Sequence, residues 1–347
     1  MSLTYEEIKS QYSALQQTYD YMLTNRTVIT DFFHSQGKRS VTFIGCGSSF
    51  TLSEAAAFSV RLRAGIPASA LAGGDLLLNA ADYAPLLQDT LLVAPSRSGS
   101  TSEIVESVRL LKTSGEAPIL AISCVDGSTL SEIADLTLSL PWAFDHSVCQ
   151  TRTVTNLYTA NLMIAAFLGN DESVLADIAA AITQGEAYMT RVESAIREAS
   201  DYGWTNAVLL ADGELNGLAA EGAIALTEIA KMQAHAFHVL DVRHGPMVTV
   251  GPETLVIAHL TSAGSEHQRK LMQDIRARGA KVIAFGDAAA NLSADDADLA
   301  IMTESELKLP VQGIPFLFIP QIVALSSAER QGINPDEPDG LTAWVKL

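Results

Sequence analysis

Short apolar runs alternate with amphipathic stretches along most of this chain. In the first half, runs at 41–44, 68–72, 90–94, 119–123 and 136–140 read as buried strands. Between them, helical periodicity appears near 54–62 and from Ile104 to Lys112. Ahead of them, Ile8, Tyr12, Leu15, Tyr19 and Met22 form the stripe of a packed helix. That stripe opens on a capping box in which Thr4 is followed three residues later by Glu7. Residues 171–200 are rich in Ala and Glu with helical spacing and predict a helical connection. Strands alternating with helices imply a parallel sheet covered on both faces.

The pattern then begins again. Asp89-Thr-Leu-Leu-Val-Ala94 returns as Glu253-Thr-Leu-Val-Ile-Ala258, and Phe43-Ile-Gly-Cys-Gly47 returns as Leu209-Leu-Ala-Asp-Gly213. Residues 110–115 ahead of the strand at 119–123 return as 275–279 ahead of a strand at 282–285. The offset holds at about 165 residues, so two copies of one α/β unit account for most of the chain. The expected architecture is α/β: two tandem doubly wound parallel-sheet lobes related by internal duplication. Its parts are a helical segment at 1–35, a first lobe at 36–165, connecting helices at 166–200, a second lobe at 201–335 and a tail at 336–347. Such lobes hold ligands where strand carboxyl ends meet helix N-termini.

Composition narrows the function classes. With 347 residues, 48% of them hydrophobic and 18% charged, the chain is globular and long enough for two full cores. A net charge of -18 argues against a nucleic-acid partner held by a basic surface, yet leaves room for one phosphate held by local dipoles. Cys46, Cys124 and Cys149 have no metal spacing and read as free thiols of a reducing compartment. No signal peptide opens the residues given. The longest apolar stretch, 309–325, is interrupted by Pro310, Pro315 and Pro320 and reads as a buried loop and helix rather than a membrane span. The expectation is a soluble, cytoplasmic protein with no metal and no cofactor.

Candidate chemistry lies at the strand ends. Ser96-Arg97-Ser98-Gly-Ser-Thr101 joins an apolar run to a helix and offers hydroxyls and N–H groups at the positive end of a helix dipole, which suits a phosphate. No Lys follows the glycine, so the loop is not a P-loop. Gly45-Cys-Gly47-Ser48-Ser49 follows the strand at 41–44, and Ser147-Val148-Cys-Gln150-Thr-Arg-Thr follows the one at 136–140. In the second half, Glu221 and Glu228 stand seven apart, on roughly one helical face made otherwise of small residues. Partial burial there would raise a carboxyl pKa toward a useful value. His244 sits in an Arg-His-Gly-Pro turn.

In this order, these motifs resemble the sugar isomerase (SIS) domain family. The likeness is to the isomerase half of glucosamine-6-phosphate synthase, to fructosamine-6-phosphate deglycases and to amino-sugar-phosphate isomerases and deaminases, and it runs from about residue 36 onward. The resemblance implies that Gly47, Ser48, Ser49, Ser96, Arg97, Ser98 and Thr101 hold a sugar phosphate and that Val148 and Gln150 line the sugar. It implies Glu228 as the proton shuttle between carbons 1 and 2, with Glu221 next in line. It gives His244 to ring opening, supplied by the neighbouring subunit of a homodimer. Arg97 stands where the synthase has a neutral amide. Two family lysines are absent: Ala225 and Ala343 take their places, and Lys346 is the only amine near the second. No glutaminase domain lies ahead of residue 1, so glutamine amidotransfer is not expected. A phosphosugar isomerase/deaminase is the first reading, a fructosamine-6-phosphate deglycase the second, and a non-catalytic sugar-phosphate-binding regulator the third.

Overall fold

In the computed structural model, residues 2–114 and 117–347 are described; Gly115, the end of one repeat segment, lies outside them. The chain divides into two units. One joins Ser10–Ala179 to Thr342–Leu347, and the other joins the residues up to Lys9 to Ala180–Leu341.

The first unit is a five-stranded parallel sheet of β1 (Ser40–Gly45), β2 (Ala68–Ala72), β3 (Thr90–Ser96), β4 (Ile119–Ser123) and β5 (Leu136–Ser139). Its order is β2-β1-β3-β4-β5. Every residue of β3 and β4 is buried, as a sheet covered on both faces requires. On one face Ile44, Leu92, Ala94, Ile119 and Ala121 pack with Ile104, Val108 and Leu111 of the helix Ser102–Ser114. On the other, the helix Arg152–Gly169 is buried from Thr153 to Phe167 and packs against the helices Ser48–Ser59 and Gln11–Thr24. The chain leaves β1 toward β2 on one side and returns to β3 on the other. The crevice at this reversal, outside the carboxyl ends of β1 and β3, is where doubly wound sheets take their ligands.

The second unit repeats the plan with β6 (Asn206–Leu210), β7 (Gln233–Phe237), β8 (Thr254–His259), β9 (Lys281–Gly286) and β10 (Leu299–Met302). Its order, β10-β9-β8-β6-β7, is the first sheet's order read from the opposite edge. The apolar stretch at 309–325 becomes a short 3-10 turn, Leu309–Gln312, followed by the helix Gly313–Gln331. Long and apolar enough to cross a membrane by composition, its most apolar window is 94% buried inside the protein.

Three local expectations are corrected. The N-terminal stripe is divided between two helices, Leu3–Lys9 and Gln11–Thr24, with a third, Arg26–Ser35, behind it, although Ile8, Tyr12, Leu15 and Met22 are all buried. The capping box does not form. Thr4 lies inside the first helix, and its N–H and hydroxyl donate to the Asp336 carboxylate at 2.7 and 2.8 Å. An anion from the far end of the chain therefore meets the positive helix end. Lastly, the helix expected near 54–62 starts at Ser48, directly behind the glycine loop. Its polar first turn carries none of the apolar stripe by which its start was sought.

Candidate functional site

Three glycines build the cradle in the first unit. A Cβ on Gly45 would fall 2.4 Å from the carbonyl of Ser49, so only glycine lets the helix Ser48–Ser59 start against the end of β1. Gly47 then turns the chain with φ +53°, and its carbonyl accepts from Phe50 and Thr51 N–H. One strand along, Gly99 has φ +57°, and a Cβ there would sit 2.1 Å from Ser128 Oγ and 2.7 Å from Ser123 Oγ. The loop after β3 is thus pressed onto the end of β4, where Cys124 N–H donates to Arg97 O and Leu130 N–H to Gly99 O. Ser96 Oγ accepts from Gly99 N–H at 3.0 Å, and Ser98 Oγ accepts from Ser100 N–H at 3.1 Å. The hydroxyls of Ser48, Ser49 and Thr101 make no hydrogen bond among the described residues. They remain available to an anion at the helix N-termini.

The third loop, between β5 and the helix Arg152–Gly169, is folded around Asp145. This fully buried carboxylate accepts from Thr151 N–H at 2.7 Å and Thr153 N–H at 2.8 Å, with Arg152 at 3.5 Å. Arg97 reaches the same loop, donating from Nη1 to Ser147 O at 2.8 Å, while Nη2 donates to Ala343 O of the C-terminal tail. Gln150 Oε1 is buried and has no hydrogen-bond partner among the described residues. A buried amide oxygen without a donor is costly, and a ligand hydroxyl would satisfy it. Burial, then the Asp145 charge, pushes the neighbouring Cys124 thiol far up, so it is inert. Asp145 and the contact of the tail with Arg97 were missed in the sequence. Neither carries a motif, and the tail's contacts join residues hundreds of positions apart.

The second unit carries the candidate acid-base groups. Glu221 and Glu228 lie on the helix Asn216–Ala230, the first buried and the second half-buried. Gly222 between them has a packing reason: a Cβ there would meet Leu209 at 2.5 Å and Pro320 at 3.0 Å. The His244 turn runs from the 3-10 turn Asp241–Arg243 through Gly245, with φ +124°, into the 3-10 turn Pro246–Thr249. It is tied by His244 N–H to Asp241 O at 2.9 Å and by Arg243 to Asp274 at 2.6 Å. His244 itself is exposed. The phosphate-loop candidates therefore belong to the first unit, and Glu221, Glu228 and His244 to the second.

The second unit's counterpart of the phosphate loop is filled by its own side chains. Gln268 folds back over the loop after β8, and its Oε1 accepts from Thr261 N–H at 2.9 Å. Its amide lies 2.6 Å from where a Gly264 Cβ would stand. His259, at the end of β8, is buried and donates from Nε2 to Gln312 Oε1 at 2.8 Å. Burial lowers its imidazole to about 4. Among the described residues no cluster of three His, Cys, Asp or Glu side chains could hold a metal ion.

Comparison with known proteins supports this reading of the fold. A family model described as SIS domain matches residues 36–168 and 202–328. A glutamine–fructose-6-phosphate aminotransferase (isomerizing) of Shewanella oneidensis is 25% identical over 360 residues, covering 99% of this chain and 58% of that protein. The chain thus spans little more than half the length of that relative. Among solved structures, a tagatose-6-phosphate ketose/aldose isomerase from Escherichia coli superposes with TM-score 0.85 at 24% identity, covering 100% of this chain and 96% of that one. A glucosamine-6-phosphate deaminase from Thermotoga maritima gives TM-score 0.81 at 21% identity, with both chains covered in full. At these identities the two structures speak for the fold alone.

Proposed function

The chain belongs to the SIS domain family, and from that premise we propose that it is a cytoplasmic phosphosugar isomerase/deaminase acting on a ketose or amino-sugar 6-phosphate. The observation that carries the reading is the first unit's cradle. Among the described residues, the hydroxyls of Ser48, Ser49 and Thr101, set around glycine-turned helix starts, and the Gln150 oxygen in the adjoining loop have no hydrogen-bond partner. Gly47, Ser48, Ser49, Ser96, Ser98 and Thr101 hold the phosphate, with Val148 and Gln150 along the sugar.

In this proposal Glu228 takes the proton from carbon 2 of the open-chain aldose and returns it to carbon 1 through an enediol or enolamine. With a 2-amino sugar, that transfer converts the amine into a carbon 2 imine. Water adds, ammonia leaves, and the ketose 6-phosphate remains. His244 assists ring opening, Glu221 supports the helix face, and two chains form a homodimer whose sites each take His244 from the partner. A fructosamine-6-phosphate deglycase is the second reading. Ala343, which bonds to Arg97 through its carbonyl, offers a methyl group where the resembled synthase has a lysine. This favours a substrate that brings its own nitrogen.

Thermal unfolding with hexose 6-phosphates, their 2-amino derivatives and the free sugars tests the site, because a ligand that binds only the folded state raises the melting temperature. The phosphates should stabilise and the free sugars should not; equal shifts would refute the phosphate cradle. Assays for ammonia and isomer should then show that Glu228→Gln lowers turnover about 100-fold or more with binding kept. Near-normal turnover would move the proton shuttle elsewhere.

A further inference from the structure

We infer that Arg97 is a positioning residue that clasps the C-terminal tail onto the phosphate loop, fixing two walls of the first unit's site at once instead of serving as a phosphate ligand. The consequence for binding rests on the sugar-phosphate reading above; the clasp itself does not. Arg97 is only 4% exposed, and a buried guanidinium is tolerated where its donors are satisfied. Its planar fork reaches in two directions. Nη1 holds Ser147 O, in the loop that presents Val148 and Gln150, and Nη2 holds Ala343 O in the tail.

The tail's register beyond that point follows the same edge. Ser102 N–H, in the first turn of the helix behind the phosphate loop, donates to Val345 O at 3.3 Å. Leu347 N–H donates to Ser102 Oγ at 3.0 Å. Backbone groups of residues 343, 345 and 347 thus face the loop, while Trp344 and Lys346 alternate with them. The tail lies beside Thr101 and covers part of the helix N-terminus, so its release would leave the cradle less enclosed. A neutral amide in place of Arg97 can satisfy only one of the two carbonyls at a time.

Two readouts separate the clasp from the site. Carboxypeptidase digestion of the full chain follows loss of the last residues. Arg97→Gln should lose them about tenfold faster than wild type, the scale of one charge-assisted hydrogen bond. Arg97→Lys, which keeps the charge but can reach one carbonyl only, should fall between and serves if the glutamine variant does not fold. Unchanged digestion in both variants would overturn the clasp. Calorimetric titration with glucose 6-phosphate supplies the second readout, in the full chain and in a chain ending at Thr342. Arg97→Gln should weaken binding about tenfold in the first background and by less than about twofold in the second, because the two changes act through one contact. Equal weakening in both backgrounds would make Arg97 a phosphate ligand, overturning the clasp while leaving the sugar-phosphate reading intact. If wild type binds no hexose 6-phosphate, the sugar-phosphate reading fails and digestion alone decides the clasp.

Discussion

Replacing Gly99 with alanine asks how tightly the phosphate loop is built. Gly37 provides the control. The two glycines have nearly the same positive φ, +57° and +62°, but a Cβ on Gly37 meets nothing within 4 Å. Gly37→Ala therefore isolates the backbone cost of holding an L-residue left-handed, roughly 1–2 kcal/mol. Gly99→Ala carries that cost plus overlap with Ser128 Oγ at 2.1 Å, Ser128 Cβ at 2.5 Å and Ser123 Oγ at 2.7 Å. None of these is the far end of a long flexible chain that could swing away. The loop itself must lift, which adds about 1–3 kcal/mol, the usual penalty for overpacking a well-filled site. Urea unfolding of both variants measures the difference directly. Lifting the loop also carries Ser98 and Thr101 out of place, so Gly99→Ala should lose glucose 6-phosphate affinity in calorimetry while Gly37→Ala keeps it. Equal destabilisation by the two substitutions would refute the close packing of this loop on the end of β4.

Two further outcomes are expected. Burial holds His259 neutral, with a pKa of about 4 in the folded state against an ordinary value near 6.5, so the unfolded chain binds the extra proton first. Stability is thus lost as pH falls from about 6.5 toward 4, by up to about 3 kcal/mol. His259→Gln should flatten that part of the urea-midpoint profile, and identical profiles would show that His259 is not the group responsible. A mixed dimer of His244→Ala and Glu228→Gln chains, each inactive alone, should regain up to about half of wild-type activity if His244 acts across a two-fold interface. No recovery would place His244 in its own subunit's site.

Much of the architecture was legible because parallel strands buried on both faces leave uninterrupted apolar runs, as at β3 and β4. The duplication was legible because β3 and β8 share Thr, Leu and Ala at matching positions, and β1 and β6 each lead an apolar run into a glycine loop. The glycine-serine loops could be read because close backbone approach at Gly45 and Gly99 admits no side chain. What escaped was long-range or compensatory. Thr4 and Glu7 had the spacing of a cap, but a carboxylate 332 positions away took the donors. The carbonyls that Arg97 meets, on Ser147 and Ala343, left no side-chain signature to read. At 261–265 no local pattern shows that Gln268 folds back onto the loop.

The exchange of terminal segments between the two units bears on the order in which the chain can be completed during synthesis. Thr4, Tyr5 and Lys9 leave the ribosome long before their partners Asp336 and Glu193, with which they share a unit. The earlier unit, in turn, is joined by Thr342–Leu347 only after every strand of the other unit has been made. Each sheet can form as its own strands emerge, since domains fold largely as units from the N-terminal side. Neither unit acquires its last segment before both sets of strands have been made. Fragments cut between residues 179 and 180 should consequently be poorer folders apart than together. Mixing the two pieces should restore what neither holds alone, with recovery second-order in fragment concentration.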